Sequence, residues 1–156
     1  MPLSLHARYT RDEILAAFGS ISPDRPGSWR EGVKWLPEYR TDLLMVTLKK
    51  SEKRFSPSTP YRDYPISPDL FHWESQSVTS ASSPTGQRYL NQKRDGSTVL
   101  LLVRENSIGD GMGASPFLFL GAADYERHER ERPIAIVWRL RTHMPPDFFK
   151  SARAVA

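Results

Sequence analysis

A mainly β domain with helices at its periphery is what this sequence predicts, folded as a twisted barrel or a strongly bent sheet. Three observations lead there. Short apolar runs bounded by turn residues recur along the chain. They do not alternate with long helical patterns, which argues against a doubly wound parallel sheet. Finally, 13 prolines and 9 glycines imply many connections between short elements. A length of 156 residues, 38% apolar and 26% charged, suits one domain over residues 1–156 with one core.

Each element has its own signal. Thr10 to Gly19 reads as a helix: Thr10 and Glu13 have capping-box spacing, Ile14, Leu15 and Phe18 share a face, and Gly19 is a natural stop. Residues 20–31 read as loop. A short strand with Val33 and Trp35 is expected within Gly32–Tyr39, and a firmer one over Asp42–Lys49, where Leu43, Leu44, Met45, Val46 and Leu48 form an apolar run. A long Pro/Ser/Tyr-rich connection follows from Phe55 to Asp69. Leu70–Val78 reads as a strand of mixed polarity, Ser80–Ser83 as loop and Pro84–Gln92 as a short helix. Asp95-Gly96 signals a turn into Thr98–Arg104, the strongest strand pattern in the chain. Gly109–Ser115 reads as a glycine-rich loop, Phe117–Leu120 and Ile134–Leu140 as strands, Asp124–Arg132 as a charged, solvated connection, and Met144–Ala156 as a closing helix.

Composition narrows the function classes. There is no cysteine, so disulfides, Cys-based zinc sites and a Cys nucleophile are excluded, and a cytoplasmic setting is expected. No apolar run approaches the roughly 20 residues that span a bilayer, and the N-terminal residues lack a signal-peptide pattern. No membrane partner is expected. The net charge of +4 permits a polyanionic partner without requiring one.

Catalytic signatures fail in turn. Gly109, Gly111 and Gly113 imitate a phosphate loop but lack its lysine. His6, His72, His128 and His143 are too scattered for paired zinc ligation. No G-x-S-x-G elbow occurs. Asp69 and Glu74 weakly imitate a metal-dependent nuclease core whose lysine is replaced by Gln76. A nuclease using these two carboxylates is one rival reading, and a module docking on protein or RNA is another. The first expectation is a recognition module without catalytic residues, metal or cofactor.

The segment from Phe55 to Gln92 carries the chemistry. It packs Phe55, Tyr61, Tyr64, Phe71, Trp73 and Tyr89 among small polar groups and the carboxylate of Asp63. A proline-stiffened loop bearing flat rings suits a planar ligand, because each ring offers a large surface at low entropic cost. A base stacked on an aromatic gains roughly 1–3 kcal/mol, comparable to the few kcal/mol needed to lift it from a duplex. The plain alternative is that Phe71 and Trp73, two apart on one strand face, belong to the core. Lys49, Lys50, Lys53 and Arg54 precede the loop and read as phosphate contacts or as a solvated face.

At these residues the sequence resembles a domain found at the C-terminus of bacterial helicase-like proteins. These include type IV restriction enzymes that join it to a phospholipase-D-type nuclease and a helicase. The matching pieces are LHARYTRDEILAAFG, TDLLMVTLKKSEKRFSP, YRDYPISPDLFHWESQS, SPTGQRYLNQ, STVLLLVRE and FLGAADYERHERERPIAIVWRL. The resemblance implies an SRA-like (SET- and RING-associated) fold of the PUA-like β-barrel class. It also implies recognition of 5-methylcytosine or 5-hydroxymethylcytosine in double-stranded DNA, the base flipped between two rings with an Asp at its polar edge. Tyr61, Asp63 and Trp73 satisfy that order, Tyr64 and Phe71 are substitutes, and Ser75 adds a polar group. Lys49, Lys50, Lys53, Arg54, Arg88 and Lys93 would hold the DNA backbone. The chain carries neither motor nor nuclease motif, so a helicase or nuclease partner, fused or separate, is expected to act with it in restriction.

Overall fold

The computed structural model describes residues 1–20, 32–49, 63–106 and 114–155. Its elements are β1 (Arg8–Tyr9), α1 (Arg11–Ala17), β2 (Val33–Leu36), β3 (Thr41–Lys49), β4 (Tyr64–Ser67), β5 (Leu70–Glu74), α2 (Pro84–Leu90), α3 (Gln92–Asp95), β6 (Thr98–Asn106), β7 (Phe117–Glu129), β8 (Ala135–Leu140) and α4 (Pro146–Val155). The strands form one mixed sheet in the order β2-β3-β6-β7-β8-β5-β4, with β1 added alongside β7. β3 and β6 run parallel, Thr41 opposite Thr98, and the other pairings are antiparallel.

The central strands are apolar on both faces, and each face has its own cover. Leu43, Met45, Leu100, Leu102, Phe117 and Phe119 meet Ile14 and Leu15 of α1 and Phe18 at its C-cap. The capping box of α1 is complete: Glu13 N–H donates to Thr10 Oγ1 and Thr10 N–H to Glu13 Oε1. On the opposite face, Leu44, Val46, Leu101, Val103, Leu118 and Leu120 join Phe71, Trp73, Ile136 and Trp138 from the far side of the sheet. The sheet must bend strongly for these to share a core. It stays open at β2 and β4, and Phe148 and Ala152 of α4 fill the gap beside β4.

Three expectations are corrected. The connection Phe55–Asp69 contains a strand, β4, which ends the sheet order among the described residues, the kind of position at which a proline such as Pro65 is tolerated. The charged stretch from Asp124 is no loop as far as Glu129: it continues β7 and pairs with β8. β5 stops at Glu74 rather than Val78. The Gly109–Gly113 loop lies outside the described residues.

Topology sets the position of the site. β5 runs antiparallel to β6, so its C-terminal end at Glu74 lies at the end of the sheet where β3 and β6 begin. α2 and α3 stay at that end, between Glu74 and Thr98. Ser83 caps α2 by accepting the Gly86 N–H at 3.0 Å, and Gly96 closes α3 with φ of 70°.

Candidate nucleic-acid interface

β5 divides its residues between two environments. Phe71 and Trp73, 0% and 4% exposed, point into the core, where the Trp73 ring meets Tyr89 edge-on at 5.3 Å and lies tilted to Trp138 at 6.3 Å. His72 and Glu74 take the other face. His72 stacks on Tyr64 of β4, the centroids 4.6 Å apart and the planes 13° from parallel. Tyr64 remains 38% exposed, so one end of this ring pair reaches the surface.

Asp63 sits at the mouth of this edge, half-buried, and its Oδ1 accepts the Glu74 N–H at 2.9 Å. A backbone donor on a carboxylate fixes where the acceptor points. Glu74 is itself nearly buried and takes Arg130 at 3.4 Å. Ser75, 1% exposed, accepts the Ile134 N–H and donates to the Gln76 carbonyl. It ties β5 to the start of β8 rather than offering a surface hydroxyl. Gln76 in turn accepts from the Tyr89 and Thr79 hydroxyls.

The positions expected to bind a base therefore separate. Asp63 and Tyr64 come together at an exposed edge, whereas Phe71, Trp73 and Ser75 form the wall behind it. Tyr61, Lys50, Lys53 and Arg54 lie outside the described residues. Lys49 ends β3 at the opposite end of the sheet from Glu74. Lys93 is exposed on α3. Arg88 is not a simple surface cation: its Nε and Nη2 make a two-pronged bond to Asp42, both at 2.8 Å, and its guanidinium covers the Trp35 ring at 4.5 Å. Burial pushes the Asp42 carboxyl above its ordinary range, and the Arg88 bonds work against that push.

The two carboxylates of the nuclease reading stand apart. Asp69 precedes β5 and binds Ser67 and Arg139, while Glu74 ends the strand on Arg130. Five steps of extended chain separate them by about 16 Å, too far to share one ion. Among the described residues no cluster of three metal-ligating side chains occurs. No described helix is long and apolar enough to cross a membrane.

The bent mixed sheet with peripheral helices is an SRA/PUA-like fold. It superimposes on a crystal structure of Arabidopsis thaliana SUVH6 in complex with SAM, with a TM-score of 0.52 and 9% identity over 92% of this chain and 27% of that one. A crystal structure of KRYPTONITE in complex with mCHG DNA and SAH is similar, with a TM-score of 0.51 and 7% identity over 92% of this chain and 33% of that one. The chain thus spans about a quarter to a third of those proteins' length. It belongs to the family described as Domain of unknown function (DUF3427), which matches residues 3–152. No curated protein matches it in sequence.

Proposed function

We propose that this domain binds double-stranded DNA and reads a modified cytosine turned out of the helix. The observation that supports this best is the oriented Asp63 carboxylate at an exposed aromatic edge, on the fold shared with a protein solved with mCHG DNA. Asp63 accepts a hydrogen bond from the cytosine amino group, the donor that this base presents. Tyr64 supplies a ring face backed by His72, and Tyr61 is the candidate for the second ring. Trp73 and Phe71 act from behind, as a rigid wall. Stacking at roughly 1–3 kcal/mol per ring contact offsets the few kcal/mol of unstacking. The modification, a methyl or hydroxymethyl group, is read by fit against this wall. Strand separation and cleavage belong to a helicase or nuclease partner acting in restriction of modified DNA.

The test is a titration of three otherwise identical duplexes, unmodified, 5-methylcytosine and 5-hydroxymethylcytosine, at one fixed salt concentration. A preference of tenfold or more, about 1.4 kcal/mol, is expected for one modified duplex, with Asp63→Ala abolishing it. Equal binding to all three, or a preference untouched by both Asp63→Ala and Tyr64→Ala, overturns the reading.

A further inference from the structure

A second polar feature stands at the same end of the sheet, on the far side of α2. It is a cleft of about 380 Å³ whose lining includes Trp35 of β2, Arg40 of the β2–β3 turn, Gln87 and Arg88 of α2, Asn91, and Arg94 of α3. Three arginines from three separate segments converge here. Against them stand Asp42, already bound by Arg88, and Asp95, already bound by Arg94 at 3.1 Å. The cleft keeps an excess of one positive charge.

Arg88 and Arg40 are held in place, while Arg94 stands exposed at the rim beside its neighbour Asp95. Arg88 is clamped between the buried Asp42 carboxylate and the Trp35 face, a geometry that uses two of its five N–H donors. Arg40 occupies a positive φ of 48°, uncommon for a residue with a side chain. Its carbonyl takes the Thr98 N–H at 2.9 Å, and its Nη2 reaches the Asp95 carbonyl at 2.8 Å. Gln87 and Asn91, joined at 2.9 Å, add amide groups to the wall. Fixed guanidinium forks and amides around an open cleft match an oxyanion with several acceptor oxygens, foremost a phosphate.

We infer that this cleft is a phosphate subsite for the DNA backbone, with Arg40, Arg88 and Arg94 as its donors. Its link to the base-reading edge is short: Arg88 is followed by Tyr89, whose ring meets Trp73, and Trp73 is followed by Glu74, which holds Asp63. A strand whose base is read at Asp63 is therefore clasped by its backbone across α2. The inference rests on the DNA-binding reading, though not on recognition of a modified base.

The experiment pairs a double variant, Arg40→Gln with Arg94→Gln, with the same duplex titrations repeated over a series of salt concentrations. These two side chains lie at the rim and leave the Asp42–Arg88 pair intact. Affinity is expected to fall by the same factor for modified and unmodified duplexes. The slope of log K against log salt should drop by about one to two, the loss of one or two phosphate contacts. Unchanged affinity and slope in a variant that melts like the parent overturns the subsite. A loss confined to the modified duplex also overturns it, because backbone contacts carry no modification signal. Tryptophan fluorescence, with Trp35→Phe as control, separates sources of phosphate. A Trp35 response to inorganic phosphate, together with parental DNA binding by the double variant, would assign the cleft to a free anion instead. Loss of modification preference in Asp63→Ala with no change in salt slope bears on the base reading alone.

Discussion

The centre of the sheet and its β4–β5 edge are built from the same strand chemistry but answer to different demands. In β3 and β6, successive side chains alternate between two covered faces, so Leu43 and Leu44, or Leu100 and Leu101, are all essentially buried. In β5 the alternation separates two materials: Phe71 and Trp73 inward, His72 and Glu74 toward a polar edge. A strand apolar on both faces can only contribute stability. β5 instead buries polar groups in its second row, His72 at 7% and Glu74 at 9% exposure, and these position the edge beside them: the His72 ring backs Tyr64 of β4, and the Glu74 N–H holds Asp63.

The sharpest way to break this contrast is to truncate one ring from the buried row of β5 and one from the β4 edge. Phe71→Ala removes a fully buried ring opposite Trp138 and should cost about 3–5 kcal/mol by denaturant unfolding. Tyr64→Ala removes an exposed ring and should leave the unfolding midpoint nearly unchanged while weakening binding to a modified duplex. If Tyr64→Ala destabilised the protein as much as Phe71→Ala, the edge would be core, and the division of labour between β4 and β5 would be wrong.

Much of this division is visible in the sequence, and the limits have physical causes. The capping box at Thr10 and Glu13, the apolar runs of β3 and β6, the αL glycine after Asp95 and the i, i+2 pairing of Phe71 with Trp73 are local signals, and each appears in the structure as the residues imply. β4 is hidden because a four-residue strand beginning Tyr-Pro reads as loop until an edge position makes its proline harmless. The charged end of β7 is hidden because its arginines and carboxylates find cross-strand partners, as Arg139 does with Glu126, so a polar stretch pairs without a buried face. Asp63 could be named as a candidate acceptor, but its anchor on the Glu74 N–H depends on β4 folding back along β5. Nothing in the sequence groups Trp35, Arg40 and Arg94, since only the closing of the β2–β3 turn against α2 and α3 brings them together.

Packing across α2 provides the next comparison. In the SPTGQRY stretch, Gly86 lies so close to the preceding segment that an added Cβ would stand 2.0 Å from the Ser80 carbonyl oxygen and 3.1 Å from Ile134 Cδ1. The first neighbour is backbone and cannot swing aside. Gly86→Ala should therefore destabilise the fold by roughly 1–3 kcal/mol through overpacking, although alanine is the better helix former. The displaced helix would also carry Tyr89 and Arg88 with it, so a salt-dependent loss of DNA affinity should accompany the lower melting temperature. A neutral or stabilising outcome would mean that α2 is free to shift, and with it that the wall behind the base-reading edge is not rigid.

The smallest effect concerns the outer surface of β7 and β8, where charges are paired in the open. Ser67 and then Arg139 and His143 hold the Asp69 carboxyl below its usual range, Arg139 does the same for Glu126, and Arg141 for Asp124. Carboxylates depressed in the folded state contribute stability that is present above their unfolded value near pH 4 and is lost as pH falls through the lower folded value. Thermal melts taken from neutral pH downward should therefore show a slight loss beginning near pH 4. Arg139→Ala should flatten that limb while changing the neutral melting temperature little, because exposed pairs are strongly screened. A large drop at neutral pH would show that this outer network, and not the buried rows of β5, β6 and β8, holds the edge of the sheet in place.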